Sequence, residues 1–344
     1  MRTSDFDFHL PPELIAQEPA LPRGASRLLC LDRATGELSD EGFSALAGYL
    51  RAGDLLVVND SRVIPARLMG SRASGGKVEL FLTSREGEGV WKALVRASKK
   101  IRDGELITLD GEGSRAEVVG ALGEGGYLVR LSGRDTPEEL IKRLGRMPLP
   151  PYIRRQAPRE EDKEWYQTVY ADKEKAASVA APTAGLHFSE AYLRELAAKG
   201  IERACITLHV GLGTFMPVRV EEVSQHRMHT ESYEVSGEAA LAVNRALAEG
   251  RRVVAVGTTA TRVLEHAGAS GLMEAGTGET ALFITPGYRF RIVGALLTNF
   301  HLPRSTLFML VSAFGGRELA ARAYEHAVAQ GYRFYSYGDA MFIY

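Results

Sequence analysis

Lys77-Val78-Glu79-Leu80-Phe81-Leu82-Thr83 opens a series that continues with GVWKALVRA at 89–97, ELITLD at 105–110, RAEVVGAL at 115–122 and GYLVRLS at 126–132. Within each run apolar and polar side chains alternate, and a glycine stands in every gap. A period of two sends one set of side chains to a buried face and the other to water, which is the pattern of a half-buried strand. Gaps this short join antiparallel neighbours, and the most economical closure of such a meander is a small barrel.

Outward from this stretch the texture changes on both sides. Upstream, 27–32 and 54–58 are strand-like and 43–50 is helical. Downstream, Thr136-Pro137-Glu138-Glu139 is a helix start with proline at the first helical position. Apolar runs at 204–210, 252–257 and 294–300 then alternate with helical periodicity at 190–199, 238–249, 259–267, 306–314 and 316–330. Buried strands interleaved with helices belong to a largely parallel sheet covered on both faces. The expected fold class is therefore α/β. A larger domain is built from both chain ends, residues 1–61 and 134–344, and carries an inserted small antiparallel β-barrel at 62–133.

Composition bounds the function. A chain of 344 residues with 45% hydrophobic content can bury a substantial core. Its 42 Lys and Arg against 43 Asp and Glu leave a net charge of -1, so any nucleic-acid binding must come from a local patch. Cys30 and Cys205 lie in apolar runs outside any CxxC, as buried reduced thiols do. The opening MRTSDFDFHLPPELIAQ lacks the basic-then-apolar order of a signal peptide, and no apolar stretch is long enough to span a bilayer. A cytoplasmic monomer without membrane contact is expected.

Polar residues gather where strands end. SVAAPTAGLHF at 178–188 is made of small residues, with Thr183 and His187 as its polar tools. Such a segment leaves room for a ligand, or for two elements to cross closely. In VVAVGTTATR at 253–262 a strand turns into a helix start, where backbone N–H groups and the hydroxyls of Thr258 and Thr259 suit an anion. Plain helix capping by either threonine uses the same residues. HVGLGTFMP at 209–217 contains a GxG, but its sequel is extended and fails as a dinucleotide fingerprint. His226 and His229 precede Glu231 without a third ligand at a diagnostic spacing, so acid–base work is expected and no metal. TNFHLPRST at 298–306 and NDSRVIPAR at 59–67 also follow apolar strands. Arg62 and Arg67 suit a carboxylate or phosphate partner. Arg96, Lys99, Lys100 and Arg102 form one basic cluster; Lys142, Arg143, Arg146, Arg154 and Arg155 form another.

In order, NDSRVIPARL, PYIRR, WYQTVYA, SVAAPTAGLHF, HVGLGTFMPV, HRMHTESYEV, VGTTATRVLE, TNFHLPRSTLFMLVSAF and YRFYSYGDAMFIY span nearly the whole chain. Together they resemble the S-adenosylmethionine:tRNA ribosyltransferase-isomerase family of queuosine biosynthesis. Two positions depart: Ala177 stands where the family pattern has glycine, and Gly294 where an acidic residue often precedes the TNFHLP strand. The resemblance implies that S-adenosylmethionine, a consumed co-substrate, donates its ribosyl group to 7-aminomethyl-7-deazaguanine at the wobble position of a tRNA. Epoxyqueuosine forms, and adenine and methionine leave.

Such chemistry needs a base for the carbon acidified by the sulfonium, an acid for departing adenine and a neutral amine. On this resemblance His187, His226 and His229 are assigned to proton transfer. Thr183, Gly185, His209, Gly211, Gly213, Thr258 and Thr259 are assigned to the donor pocket, and Arg262 or Arg62 to the methionine carboxylate. Asp60 and Asn299 would read the deazaguanine edge. Arg96, Lys99, Lys100, Arg102, Arg154 and Arg155 would hold RNA phosphates. The competing readings are an S-adenosylmethionine-dependent RNA methyltransferase, a metal-dependent hydrolase built on His226 and His229, and a non-catalytic RNA-binding module.

Overall fold

A computed structural model of the chain describes every residue except 112, 124, 212–217 and 219. Among the described residues its larger part is a nine-stranded mixed sheet. The strand order is Gly276–Thr280, Glu231–Val235, Glu202–Leu208, Leu55–Asn59, Val253–Val256, Ala295–Asn299, Ala340–Ile343, Arg27–Leu31 and Leu38–Gly42. The central run from Glu202–Leu208 to Ala295–Asn299 is parallel. Ala340–Ile343 is antiparallel to Ala295–Asn299 but parallel to Arg27–Leu31, so it joins the two parts of the sheet.

Alternation along these strands serves two cores. Leu29, Leu31, Leu55, Val57, Val253, Ala255, Leu296, Met341 and Ile343 face Val243, Val263, Leu264, Met309, Leu310 and Tyr324. Those partners come from the helices Gly237–Ala248, Gly257–Ala267, Thr306–Gly315 and Arg317–Ala329. The intervening residues, among them Leu28, Cys30, Leu56, Val58, Val254, Val256, Leu297 and Phe342, pack against Leu46, Phe188 and Leu196. Burial on both faces is why these strands appear in the sequence as continuous apolar runs. The expected helix at 43–50 is a turn, Phe43–Ala45, leading into a short helix, Leu46–Tyr49.

The antiparallel barrel closes in the order Gly126–Ser132, Val90–Ala97, Lys77–Gly87, Arg67–Arg72, Leu106–Leu109 and Arg115–Gly123. Leu68, Val78, Leu80, Leu82, Ala93, Ile107, Val118 and Val129 fill its interior. Five of its strands are those of the alternating series. The sixth, Arg67–Arg72, hides its alternation because the carbonyl oxygen of Thr108 occupies the place of a Gly70 side chain. The helix Pro137–Leu144 buries Leu140 and Ile141 against this same core. A two-stranded parallel pair, Arg62–Val63 with Ala176–Ser178, stands where the chain enters the barrel. No helix among the described residues is long and apolar enough to cross a membrane.

Candidate active site

The central parallel strands all end at one edge, where the residues that follow them meet: Asn59, His209, Gly257 and Asn299 with their successors. The carboxyl edge of such a sheet is the usual place for a ligand. Here it opens on a cavity of about 640 Å³ lined by Tyr152, Tyr166, Ala181, Thr183, Ala184, Gly257, Thr258, Thr259, Thr298, Asn299, His301, Arg304, Tyr335 and Ser336, among others. That size suits a ligand of nucleoside dimensions.

The turn Thr183–His187 forms one wall. Its small residues have divided duties. Ala184 lines the cavity, whereas a side chain on Gly185 would collide with the Tyr170 hydroxyl, so packing requires a glycine there. Packed beside this turn, close to Ala184, is the helix Gly257–Ala267, which begins at a left-handed glycine, φ 90° at Gly257. Neither Thr258 nor Thr259 caps it; its first turn has no side-chain cap. Thr259 Oγ1 is enclosed without a hydrogen-bond partner. Uncapped N–H groups and an unpartnered hydroxyl make this end of the helix electropositive toward the cavity.

His187 is buried and does not line the cavity. The Asn299 amide donates to its Nε2 at 3.2 Å, which leaves the ring proton on Nδ1, 2.8 Å from Ser26 Oγ. The ring also stacks on Phe43 at 5.1 Å. Burial, with the positive charges of Arg333 and Arg23, lowers its pKa to about 3. With both nitrogens engaged, the neutral imidazole is fixed within the fold. It holds Asn299, which also donates to the Tyr335 carbonyl at 3.2 Å and accepts from the Thr183 hydroxyl at 3.1 Å.

His301, whose place in TNFHLPRST implies no role by itself, is the histidine that lines the described cavity wall. Its Nε2 lies 2.9 Å from Thr298 Oγ1, and its backbone N–H donates to the Tyr324 hydroxyl at 3.1 Å. Part of the ring stays open to the cavity, and the enclosing groups lower its pKa to about 3. His226 and His229 lie in the loop between Val223–Gln225 and Glu231–Val235, outside the residues that line the cavity. His226 packs edge-on against Phe283, and burial followed by the neighbouring His229 lowers its pKa. His229 is exposed.

The two arginines expected at the methionine carboxylate both lie off the described cavity wall. Arg262 is buried against Glu231, donates to the carbonyls of Leu282 at 3.0 Å and Thr280 at 3.3 Å, and is absent from the cavity wall. Glu231 also accepts from the Gly211 N–H at 2.9 Å, which gives that glycine a structural partner. Arg62 belongs to the pair with Ala176–Ser178 and is absent from the cavity wall. Asp60 accepts from the Thr207 hydroxyl at 2.6 Å, and burial raises its pKa. His209 has an enclosed Nδ1 without a partner; its pKa is lowered by burial and then by Lys175. Neither Asp60 nor His209 lines the cavity. Gly213 lies outside the described residues.

The basic residues also separate. Arg96, Lys99, Lys100 and Arg102 are exposed on the barrel, and among the described residues none pairs with a carboxylate. Arg154 is exposed. Arg155 departs from the expectation: it forks onto Asp162 at 2.9 and 3.0 Å and donates to the Gln17 carbonyl, so its guanidinium holds the fold. Among the described residues no group of three His, Cys, Asp or Glu side chains could hold a metal ion.

A family model described as "Queuosine biosynthesis protein" matches residues 3–343. A curated relative from Trichlorobacter lovleyi, named S-adenosylmethionine:tRNA ribosyltransferase-isomerase, is 54% identical over 344 residues and covers 100% of both chains. A relative of the same name from an Anaeromyxobacter species is 56% identical over 347 residues, covering 100% of this chain and 99% of its own. The solved structure of an S-adenosylmethionine tRNA ribosyltransferase from Thermotoga maritima is 38% identical. It aligns with a TM-score of 0.57 over 99% of this chain and 100% of its own.

Proposed function

We propose, because the chain belongs to the queuosine biosynthesis family, that it transfers and isomerises the ribosyl group of S-adenosylmethionine onto 7-aminomethyl-7-deazaguanine at a tRNA wobble position, releasing adenine and methionine. The observation that carries this reading is the composition of one cavity. Segments around 180–184, 257–259, 298–307 and 335–336, distant in sequence, supply its walls at the sheet's carboxyl edge. The donor's methionine carboxylate is assigned to the uncapped N–H groups and Thr259 Oγ1, in place of Arg262 or Arg62. Asn299, fixed by His187 and Thr183, is assigned to hold a polar edge of the substrate. His301 presents its ring at the wall and is assigned the proton-transfer role expected of His187, His226 and His229. Arg96, Lys99, Lys100, Arg102 and Arg154 are assigned to RNA phosphates.

The test incubates the protein with S-adenosylmethionine and a tRNA carrying the deazaguanine precursor. Free adenine and a ribosyl-derived mass increase on the RNA are expected. A methylated RNA without adenine release would establish a methyltransferase instead. His301→Ala should lower single-turnover adenine release about 100-fold while the donor still binds.

A further inference from the structure

The ionisable side chains on the described cavity wall are Tyr152, Tyr166, Tyr335, His301 and Arg304; no Asp or Glu is among them. The Arg304 guanidinium is tied to Asp7. His301 is neutral around pH 7 because its surroundings disfavour the charged ring. A cation entering here therefore meets neither a counter-charge nor a free like charge. It meets aromatic rings.

Tyr152 and Tyr335 pack with ring centroids 4.1 Å apart at 47°. The Tyr152 hydroxyl is anchored on Ser336 Oγ at 2.6 Å. Tyr335 sits in the left-handed region, φ 74°, which is unfavourable for a bulky residue. Among the described residues the other non-glycine in that region is Arg304, on the same wall. Two bonds hold the strained backbone: the Tyr335 N–H donates to the Phe300 carbonyl at 3.0 Å, and its own carbonyl accepts from Asn299 at 3.2 Å. Strain pinned in this way at a ligand cavity marks a placement that the fold enforces.

We propose that Tyr335, backed by Tyr152, recognises the positive sulfur of the donor through its aromatic face and so selects a sulfonium over the corresponding neutral thioether. The inference rests on the reading that this cavity takes S-adenosylmethionine. A cation is drawn to the ring quadrupole, and a neutral sulfur is not. Ribosyl transfer turns the sulfonium into a thioether, so the attraction disappears when methionine forms and the product is let go.

Titration calorimetry of the full chain with S-adenosylmethionine and with S-adenosylhomocysteine tests this. The wild type should prefer the sulfonium by about ten-fold or more. Tyr335→Phe, which keeps the ring face, should retain that preference. Tyr335→Leu should weaken S-adenosylmethionine about ten-fold and S-adenosylhomocysteine by less than about three-fold. Tyr152→Leu provides the same comparison should Tyr335→Leu fail to fold. Equal weakening of both ligands by the leucine variants, or a Tyr335→Phe protein as impaired as Tyr335→Leu, overturns the inference. A wild type that binds neither ligand overturns the donor reading and this inference together. A wild type that releases adenine while showing no preference between the ligands overturns the inference alone.

Discussion

His187 has both ring nitrogens occupied inside the protein, and the consequence is a pH dependence of stability. Its folded pKa of about 3 lies below its ordinary value of 6.5. As pH falls, the unfolded chain therefore takes up the proton first. The stability contributed by the neutral ring is complete above pH 6.5 and is lost progressively from there toward pH 3. Denaturant unfolding at pH 7 and pH 5 should differ by about 2 kcal/mol from this group, and His187→Asn should flatten the slope. His301 adds a shift of the same sign. The sequence brought Thr183, Asn299, Thr258 and Thr259 to attention because small and polar residues at strand ends have few core uses. It misled at Arg262, whose partner Glu231 is set by pairing across separate elements that no local pattern displays. Tyr335 draws no role from sequence because an aromatic in YRFYSYGD looks the same whether its neighbours are side chains or an open cavity.

Helix ends decide where the site is. Ser189, Ser236 and Ser305 cap their helices by accepting from the backbone three residues on, and the helix Gly257–Ala267 has no such cap. Its electropositive end is thereby available to a carboxylate. Thr259→Val should leave unliganded stability unchanged or slightly higher, since it removes an enclosed hydroxyl without a partner. The same variant should weaken donor binding about ten-fold, measured by calorimetry. An unchanged donor affinity would remove Thr259 from the site. Periodicity revealed the central strands and main helices because both sheet faces are buried. It did not reveal the strand Glu231–Val235 or its edge neighbour Gly276–Thr280, whose ESYEV and GTGET are too polar and too short to show alternation.

Across the whole molecule, the candidate cavity belongs to the sheet and the cations Arg96, Lys99, Lys100 and Arg102 to the barrel, so their effects should separate. Replacing Arg96, Lys99, Lys100 and Arg102 together by alanine should weaken tRNA binding and reduce the slope of log affinity against log salt by about 3, with donor affinity unchanged. Arg155→Ala should instead cost about 3–5 kcal/mol of stability, because it leaves Asp162 charged and enclosed. The barrel was legible because its hairpins are local. The strand Ala340–Ile343 was not, since its partners come from opposite parts of the chain. That strand has a bearing on synthesis. On a ribosome the barrel can close as soon as its own residues emerge, and the parallel strands can assemble after it. Arg27–Leu31 and Leu38–Gly42 must wait, attached to one another, until the strand that docks them has been translated. Through that interval the apolar side chains of Arg27–Leu31 are exposed, and a chaperone that shields early-emerging segments would act on this protein at that strand.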